Sequence, residues 1–166
     1  MKVLPFANVL LIGGGGSGKT SFIKAAKSGS FAGASQPTNG FELTGMEVDG
    51  VYLNLWELAA NSFSLGFTRD LARQAHIVVG FLEEGNAGSE AGTIQAIEKL
   101  LSMNPTASVW MLVQSKSDLE RCEPKLAENL AEKYAMSARK ASALDGLACR
   151  ELLKECLDSL RENLGI

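Results

Sequence analysis

The sequence predicts an α/β fold in which a mostly parallel sheet is covered by helices on both faces. Three observations support this prediction. Strand-like apolar segments alternate with helix-like segments along the whole chain. The first strand leads directly into a glycine-rich loop that opens a helix. The pair Asp49–Gly50 joins two further strand-like segments, which adds one antiparallel edge to the sheet. Since no linker or repeat divides the chain, residues 1–166 are predicted to form one domain.

Each element follows from a local pattern of residues. Asn8–Ile12 is a short apolar run before glycines, which is typical of a buried parallel strand. Gly18–Lys27 is predicted as a helix, and Ser28–Gly40, rich in small and polar residues, as a loop. The remaining predicted elements are strands Phe41–Val48 and Val51–Trp56, a polar stretch Glu57–Gly66, a helix to about Gln74, a strand His76–Leu82, a helix Ser89–Met103, a strand Ala107–Gln114, a helix Pro124–Lys133, a strand Tyr134–Ser137 and an amphipathic helix Asp145–Leu164.

Composition excludes several classes of protein. The 166 residues include 16 basic and 19 acidic side chains, so the net charge is −3 and binding to a nucleic-acid backbone is not expected. No apolar run is long enough to span a membrane, and Lys2 stands where myristoylation needs glycine, so we expect no direct membrane anchor. The three cysteines, Cys122, Cys149 and Cys156, lack metal-ligand spacing and indicate reduced thiols in a cytoplasmic protein.

The first loop carries a phosphate-binding motif. The segment G-G-G-G-S-G-K-T fits G-x-x-x-x-G-K-[ST], directly after a strand and at the start of a helix. Glycines allow successive N–H groups to point at phosphate oxygens. Lys19 can bridge the outer phosphates, and the Thr20 hydroxyl can ligate Mg²⁺. The motif does not distinguish adenine from guanine, or a kinase from a switch. The predicted phosphate-side residues are Gly13, Gly14, Gly15, Gly16, Ser17, Gly18, Lys19, Thr20 and Ser21.

Two later segments extend this pattern. P-T-N-G-F places Thr38 19 residues after Lys19, and the hairpin ends in L-W-E-L-A-A-N. Here the sequence resembles the small GTPases of the Ras superfamily, and within them the Arf-like branch, which carries P-T-x-G-F and W-D-x-G-G-Q. The resemblance implies a three-layer G-domain fold with six strands, one of them an antiparallel edge, and about five helices. It also implies Mg²⁺, GTP and GDP as ligands, and protein effectors with exchange or activating factors as partners.

The same resemblance assigns roles around the metal and the γ-phosphate. Thr38 would bring its hydroxyl to Mg²⁺, and Glu57, which replaces the family aspartate, would hold the ion through water. Ala59 and Ala60 replace two glycines, the second of which offers its N–H to the γ-phosphate. Asn61 replaces the glutamine that orients water. Because phosphoryl transfer depends on positioning, these changes predict slow hydrolysis.

A third group of residues corresponds to the base-recognition motifs of the family. S-K-S-D stands where the family has N-K-x-D. The resemblance implies that Asp118 accepts two hydrogen bonds from guanine, that the stem of Lys116 covers the ring, and that Ser115 tethers the loop. Further along the chain, Ser137, Ala138 and Arg139 match the family's S-A-K, whose backbone N–H caps the guanine oxygen.

The resemblance also predicts an exposed apolar patch for effectors. Phe41 and Trp56 match two of its members, and either Phe63 or Phe67 can stand in for the third, a tyrosine. His76, at the start of a strand, is interpreted as structural. Two alternatives stay open: a pseudo-GTPase scaffold with static or no nucleotide binding, and a P-loop kinase. The kinase is disfavoured because the chain has no arginine-rich, lid-like cluster.

Overall fold

The computed structural model describes residues 2–29, 40–59, 62–63, 66–116 and 125–166. Within these ranges strands and helices alternate as the sequence predicts. The elements are β1 Phe6–Gly13, α1 Lys19–Ser28, β2 Phe41–Val48, β3 Val51–Leu58, α2 Gly66–Gln74, β4 Ile77–Leu82, α3 Ala87–Leu101, β5 Val109–Gln114, α4 Lys125–Lys133, β6 Ser137–Lys140 and α5 Gly146–Leu164.

The described strands form one six-stranded sheet in the order β2–β3–β1–β4–β5–β6. β1 pairs in parallel with β3 and β4, and β4, β5 and β6 continue the parallel arrangement. Only β2 is antiparallel, through its hairpin with β3. This confirms the predicted mixed sheet with one antiparallel edge strand. The carboxyl ends of the parallel strands meet at one edge, which is where ligands bind in such sheets.

The β2–β3 hairpin turns at the pair that the sequence singled out. Asp49 and Gly50 both have positive φ values, 51° and 77°, as a two-residue turn matched to the strand twist requires. Arg161 of α5 holds the turn: Nη1 donates to the Asp49 carboxylate at 2.6 Å and Nη2 to the Asp49 carbonyl oxygen at 2.9 Å. The hairpin tip is therefore fixed to the last helix.

The core has two halves, one on each face of the sheet. Alternate residues of β1 serve the two faces: Val9 and Leu11 belong to the half beneath α1 and α5, and Leu10 and Ile12 to the half beneath α2, α3 and α4. All four side chains are fully buried. A strand buried on both faces is continuously apolar, which explains the run in the sequence.

The last strand lies further along the chain than predicted. The sequence places it at Tyr134–Ser137, whereas β6 is Ser137–Lys140. Ala135 adopts a positive φ of 55°, and the Met136 N–H donates to the Ala131 carbonyl oxygen at 2.7 Å, so the chain is still closing α4 at that point. β3 also continues two residues past its predicted end, to Leu58.

None of the helices in the described part of the chain has the length and apolar character that crossing a bilayer demands.

Candidate functional site

The loop between β1 and α1 forms an open backbone cradle. Gly16 and Gly18 have positive φ values of 72° and 91°, which L side chains rarely adopt. A Cβ added at Gly15 or Gly16 would meet no atom within 4 Å, so the space in front of these residues is open. α1 begins at Lys19 directly after the loop, so the positive end of the helix dipole lies at the loop.

Lys19 occupies the centre of this cradle. Its Nζ donates to the carbonyl oxygens of Gly13 and Gly14, at 3.1 and 3.2 Å, and to Ser17 Oγ at 3.3 Å. The side chain is buried, and this burial lowers the pKa of Lys19, while the nearby Glu57 carboxylate opposes the shift. The ammonium is thus held among the loop carbonyls, where a negatively charged ligand would relieve its desolvation.

Thr20 and Glu57 meet beside Lys19. The Thr20 hydroxyl donates a hydrogen bond to Glu57 Oε1, and Glu57 is only 3% exposed at the end of β3. A hydroxyl and a carboxylate oxygen are ligands that suit Mg²⁺. Among the described residues, no cluster of three His, Cys, Asp or Glu side chains could hold a metal alone. The pair therefore fits an ion that takes its other ligands from phosphate oxygens and water.

Helix α3 packs against the loop between β1 and α1 at Gly14. Thr93 Oγ1 accepts a hydrogen bond from the Gly14 N–H at 2.9 Å and donates to the Phe81 carbonyl oxygen at 2.7 Å. A Cβ on Gly14 would lie 2.5 Å from the Ser89 carbonyl oxygen, and a Cβ on Gly92 would lie 2.8 Å from the Gly14 Cα. The sequence analysis missed this contact, since only a run of small residues in α3 hints at it.

The segment after β5 contacts the loop between β1 and α1, which is called the phosphate loop below after its sequence motif. The Ser115 hydroxyl donates to the Ser17 carbonyl oxygen, and the Leu82 carbonyl oxygen lies 3.3 Å from the same Oγ. Lys116 Nζ donates to the Gly16 carbonyl oxygen at 2.9 Å. Ser115 therefore tethers the two loops, although it is shorter than the family's asparagine.

Two buried carboxylates that the sequence analysis missed flank this segment. Glu83, directly after β4, pairs with Lys116 Nζ at 2.8 Å. Glu84 Oε1 accepts a hydrogen bond from the Ala127 N–H in the first turn of α4 at 2.8 Å. Both residues are less than 5% exposed. Their signal in the sequence is two adjacent acidic residues immediately after an apolar strand.

The described structure brings Lys19, Thr20, Glu57, Ser115 and Lys116 together at one edge of the sheet. Four other predicted site residues, Thr38, Ala60, Asn61 and Asp118, lie outside the described residues.

The segment Ser137–Ala138–Arg139 belongs to the last strand rather than to the connection between that strand and α5. It lies within β6, in register with Met111–Val113 of β5. The Arg139 Nε donates to Glu155 of α5 at 2.8 Å, so the side chain lies toward that helix. Its predicted role toward a base would come from the backbone.

Three aromatic rings, called the aromatic patch below, lie together around the start of β2. Phe41 is 46% exposed, and its ring centroid lies 5.9 Å from that of Trp56 and 4.5 Å from that of Phe67. Trp56 is half-buried. Of the two candidates for the third ring, Phe67 contacts Phe41, whereas Phe63 is buried in the core.

Comparisons with known proteins agree with this architecture. A family model described as Ras family matches residues 8–162. The chain is 33% identical to Ras-related protein Rab-19 of Rattus norvegicus over 140 residues, which is 78% of this chain and 63% of that relative. It is 31% identical to the Bos taurus protein of the same name over 164 residues, covering 87% of this chain and 74% of the relative. It is 28% identical to the Ras and EF-hand domain-containing protein of Danio rerio, of which it spans 23%.

Proposed function

Because this chain belongs to the Ras family of small GTPases, we propose that it binds GTP and GDP with Mg²⁺ and engages protein partners according to the nucleotide bound. The observation that carries the proposal is the position of Lys19. Its buried ammonium lies among carbonyl oxygens of an open, glycine-rich loop at the start of a helix. A polyphosphate supplies the negative charge that this arrangement requires.

Mg²⁺ would be held by the Thr20 hydroxyl, by Glu57 through water and by Thr38. When bound, the ion would neutralise charge on the outer phosphates. The contact between Thr20 and Glu57 supports this assignment, since it brings a hydroxyl and a carboxylate together beside Lys19.

Guanine would be recognised by the segment that follows β5. Asp118 would accept hydrogen bonds from the base, Lys116 would cover its face, and Ser115 would tether the loop. The contacts of Lys116 and Ser115 support this proposal, because they hold the segment after β5 against the loop between β1 and α1. The backbone of Ser137, Ala138 and Arg139 is proposed to complete the base site.

Hydrolysis is proposed to be slow, with Lys19 stabilising the transferred phosphoryl group and Asn61 as a weak positioner of water. Ala60 would restrict the backbone where the family uses glycine.

The Arf-like assignment within the family is a separate proposal. It rests on the P-T-N-G-F segment and on Trp56 at the end of the hairpin, and the ring centroids of Phe41 and Trp56 lie 5.9 Å apart. The relatives compared above are named for Rab and Ras, and the nucleotide proposal does not depend on the branch.

The partners are proposed to be protein effectors and exchange or activating factors in the cytoplasm. Their site would be the aromatic patch of Phe41, Trp56 and Phe67. Partly exposed aromatic rings are common anchors of protein interfaces, and Phe41 begins β2, the edge strand of the described sheet.

The nucleotide that copurifies with the protein tests the proposal. The protein would be denatured and the released nucleotide identified by ion-exchange chromatography. We expect GDP or GTP at about one per chain, lost in Lys19→Ala and kept in Lys24→Ala, a matched change at an exposed position of the same helix. A protein that is empty and that fails to bind GDP in a titration with Mg²⁺ would instead be a scaffold of the same fold.

A further inference from the structure

The geometry points to Glu83 as a positioning residue for base recognition, acting through Lys116. This inference rests on the proposed function, because it assumes that the stem of Lys116 covers a bound guanine. It adds a residue that belongs to none of the recognised motifs.

The first step is the fixed position of the Lys116 ammonium. Lys116 Nζ lies 2.8 Å from Glu83 Oε2 and 2.9 Å from the Gly16 carbonyl oxygen. One anchor is thus a carboxylate and the other belongs to the phosphate loop. Because both anchors hold the Lys116 ammonium, the aliphatic stem between its Cα and Nζ follows a defined path.

The second step is the rigidity of the carboxylate. The Glu83 side chain is 5% exposed, whereas that of Lys116 is 40% exposed. Asn86 Nδ2 lies 3.4 Å from the same Glu83 oxygen, and Asn86 Oδ1 accepts from the Ser89 N–H and so caps α3. Glu83 is therefore part of the framework formed by β4 and α3, and the more exposed lysine is the member that it positions.

The third step is the consequence for ligand binding. Without the carboxylate, the partly exposed ammonium can move into water, and the stem is no longer held along one path. A ligand that packs against the stem must then order it, which weakens binding. Loss of one charge-assisted contact of this kind predicts about tenfold weaker binding of GDP.

Titration with GDP and with inosine diphosphate, which lacks the exocyclic amine, tests the inference. Glu83→Gln should weaken the binding of both nucleotides by about the same factor, roughly tenfold, because the Lys116 stem is proposed to contact the ring face rather than the amine. In the Lys116→Met background, Glu83→Gln should produce no further loss. The matched control is Glu90→Gln, in the first turn of α3, whose carboxylate accepts from the Gly85 N–H and does not contact Lys116.

A measurement without nucleotide separates this inference from the proposed function. Lys116→Met removes the ammonium from a buried carboxylate and should lower the Tm of the nucleotide-free protein, and adding Glu83→Gln should restore part of the loss. Unchanged GDP affinity in Glu83→Gln, or equal losses in Glu83→Gln and Glu90→Gln, would overturn the role of Glu83. Failure of the unaltered protein to bind GDP would instead overturn the guanine proposal, and the melting experiment would still report whether Glu83 and Lys116 act as a pair.

Discussion

Gly92 of α3 lies so close to Gly14 of the phosphate loop that a Cβ on Gly92 would stand 2.8 Å from the Gly14 Cα. Real Cβ atoms essentially never approach another atom this closely, and the atom approached here is backbone, which has no rotamer to change. The next residue, Thr93, binds the Gly14 N–H. Helix α3 thus supports the phosphate loop through direct backbone contact and one hydrogen bond.

Gly92→Ala is expected to displace the phosphate loop. Overpacking of this kind lowers the free energy of unfolding by about 1–3 kcal/mol, and we expect GDP affinity to fall as well. Gly88→Ala on the same helix is the control, because its Cβ would meet only Asn86 Oδ1, at 3.6 Å. Denaturant unfolding and GDP titration measure both effects. Equal behaviour of the two variants would show that the loop tolerates the shift.

Hydrolysis should speed up when two family residues are restored. Ala60→Gly with Asn61→Gln gives the backbone more freedom and lengthens the side chain proposed to orient water. Since errors in positioning slow such reactions strongly, we expect single-turnover GTP hydrolysis to rise by about ten- to a hundredfold. Asn129→Gln, on the exposed side of α4, should leave the rate unchanged. A rate unaffected by the double change would place the limitation elsewhere, with Glu57 the next residue to vary.

The aromatic patch should decide partner binding. Phe41→Ala and Phe67→Ala each remove a ring from the patch, and both should weaken binding of a partner that prefers the GTP-loaded protein. Leu147→Ala removes an exposed apolar side chain, 67% accessible, from α5 and serves as the control. Affinity for a purified partner with GTP-analogue-loaded and GDP-loaded protein is the measurement. Identical binding in both nucleotide states would favour the scaffold.

His76 is the chain's one histidine, and we expect it to lower the free energy of unfolding at acidic pH. Its Nδ1 accepts the Asn8 N–H at 2.9 Å, and burial lowers the pKa of His76. The folded state therefore prefers neutral imidazole. Its contribution to stability is complete above the unfolded pKa of about 6.5 and is lost as the pH falls through the lower folded value.

His76→Asn tests this effect, because the amide oxygen can accept the same N–H without titrating. Thermal melting of both proteins between pH 7.5 and 5 should give a smaller decrease in Tm for the variant. Carboxylates contribute equally to the two curves, so their difference isolates the imidazole. Parallel curves would mean that His76 does not titrate in this range.

The parts of the fold that were predicted correctly are those with local signals. Asp49–Gly50 fixes its hairpin within two residues, and the segment from Gly13 to Thr20 specifies a loop and a helix start by its own composition. The predicted position of the last strand is wrong because the chain turns at Ala135 with a positive φ, and alanine is not a residue type that signals such a turn. The strand-like pattern of the sequence runs through a residue at which the chain is still leaving a helix.

Contacts in the site that join distant parts of the chain were not predicted. Thr93 and Gly14 are 79 residues apart, and Lys116 and Glu83 are 33 apart. These contacts depend on how closely α3 approaches β1 and on which loop follows which strand at the sheet edge. Motifs report residues that touch a ligand, whereas the residues that support them become visible only when the elements are packed.

The aromatic patch has a further consequence, which is optical. The chain has two tryptophans, and Trp56 lies in the patch, with its ring centroid 5.9 Å from that of Phe41. Trp110 lies on β5, where its Nε1 donates to the Ala107 carbonyl oxygen at 3.0 Å. Trp110→Phe would therefore leave a single indole whose emission responds to the polarity of the patch. The molecule carries its own fluorescent reporter at the surface where partners are proposed to bind.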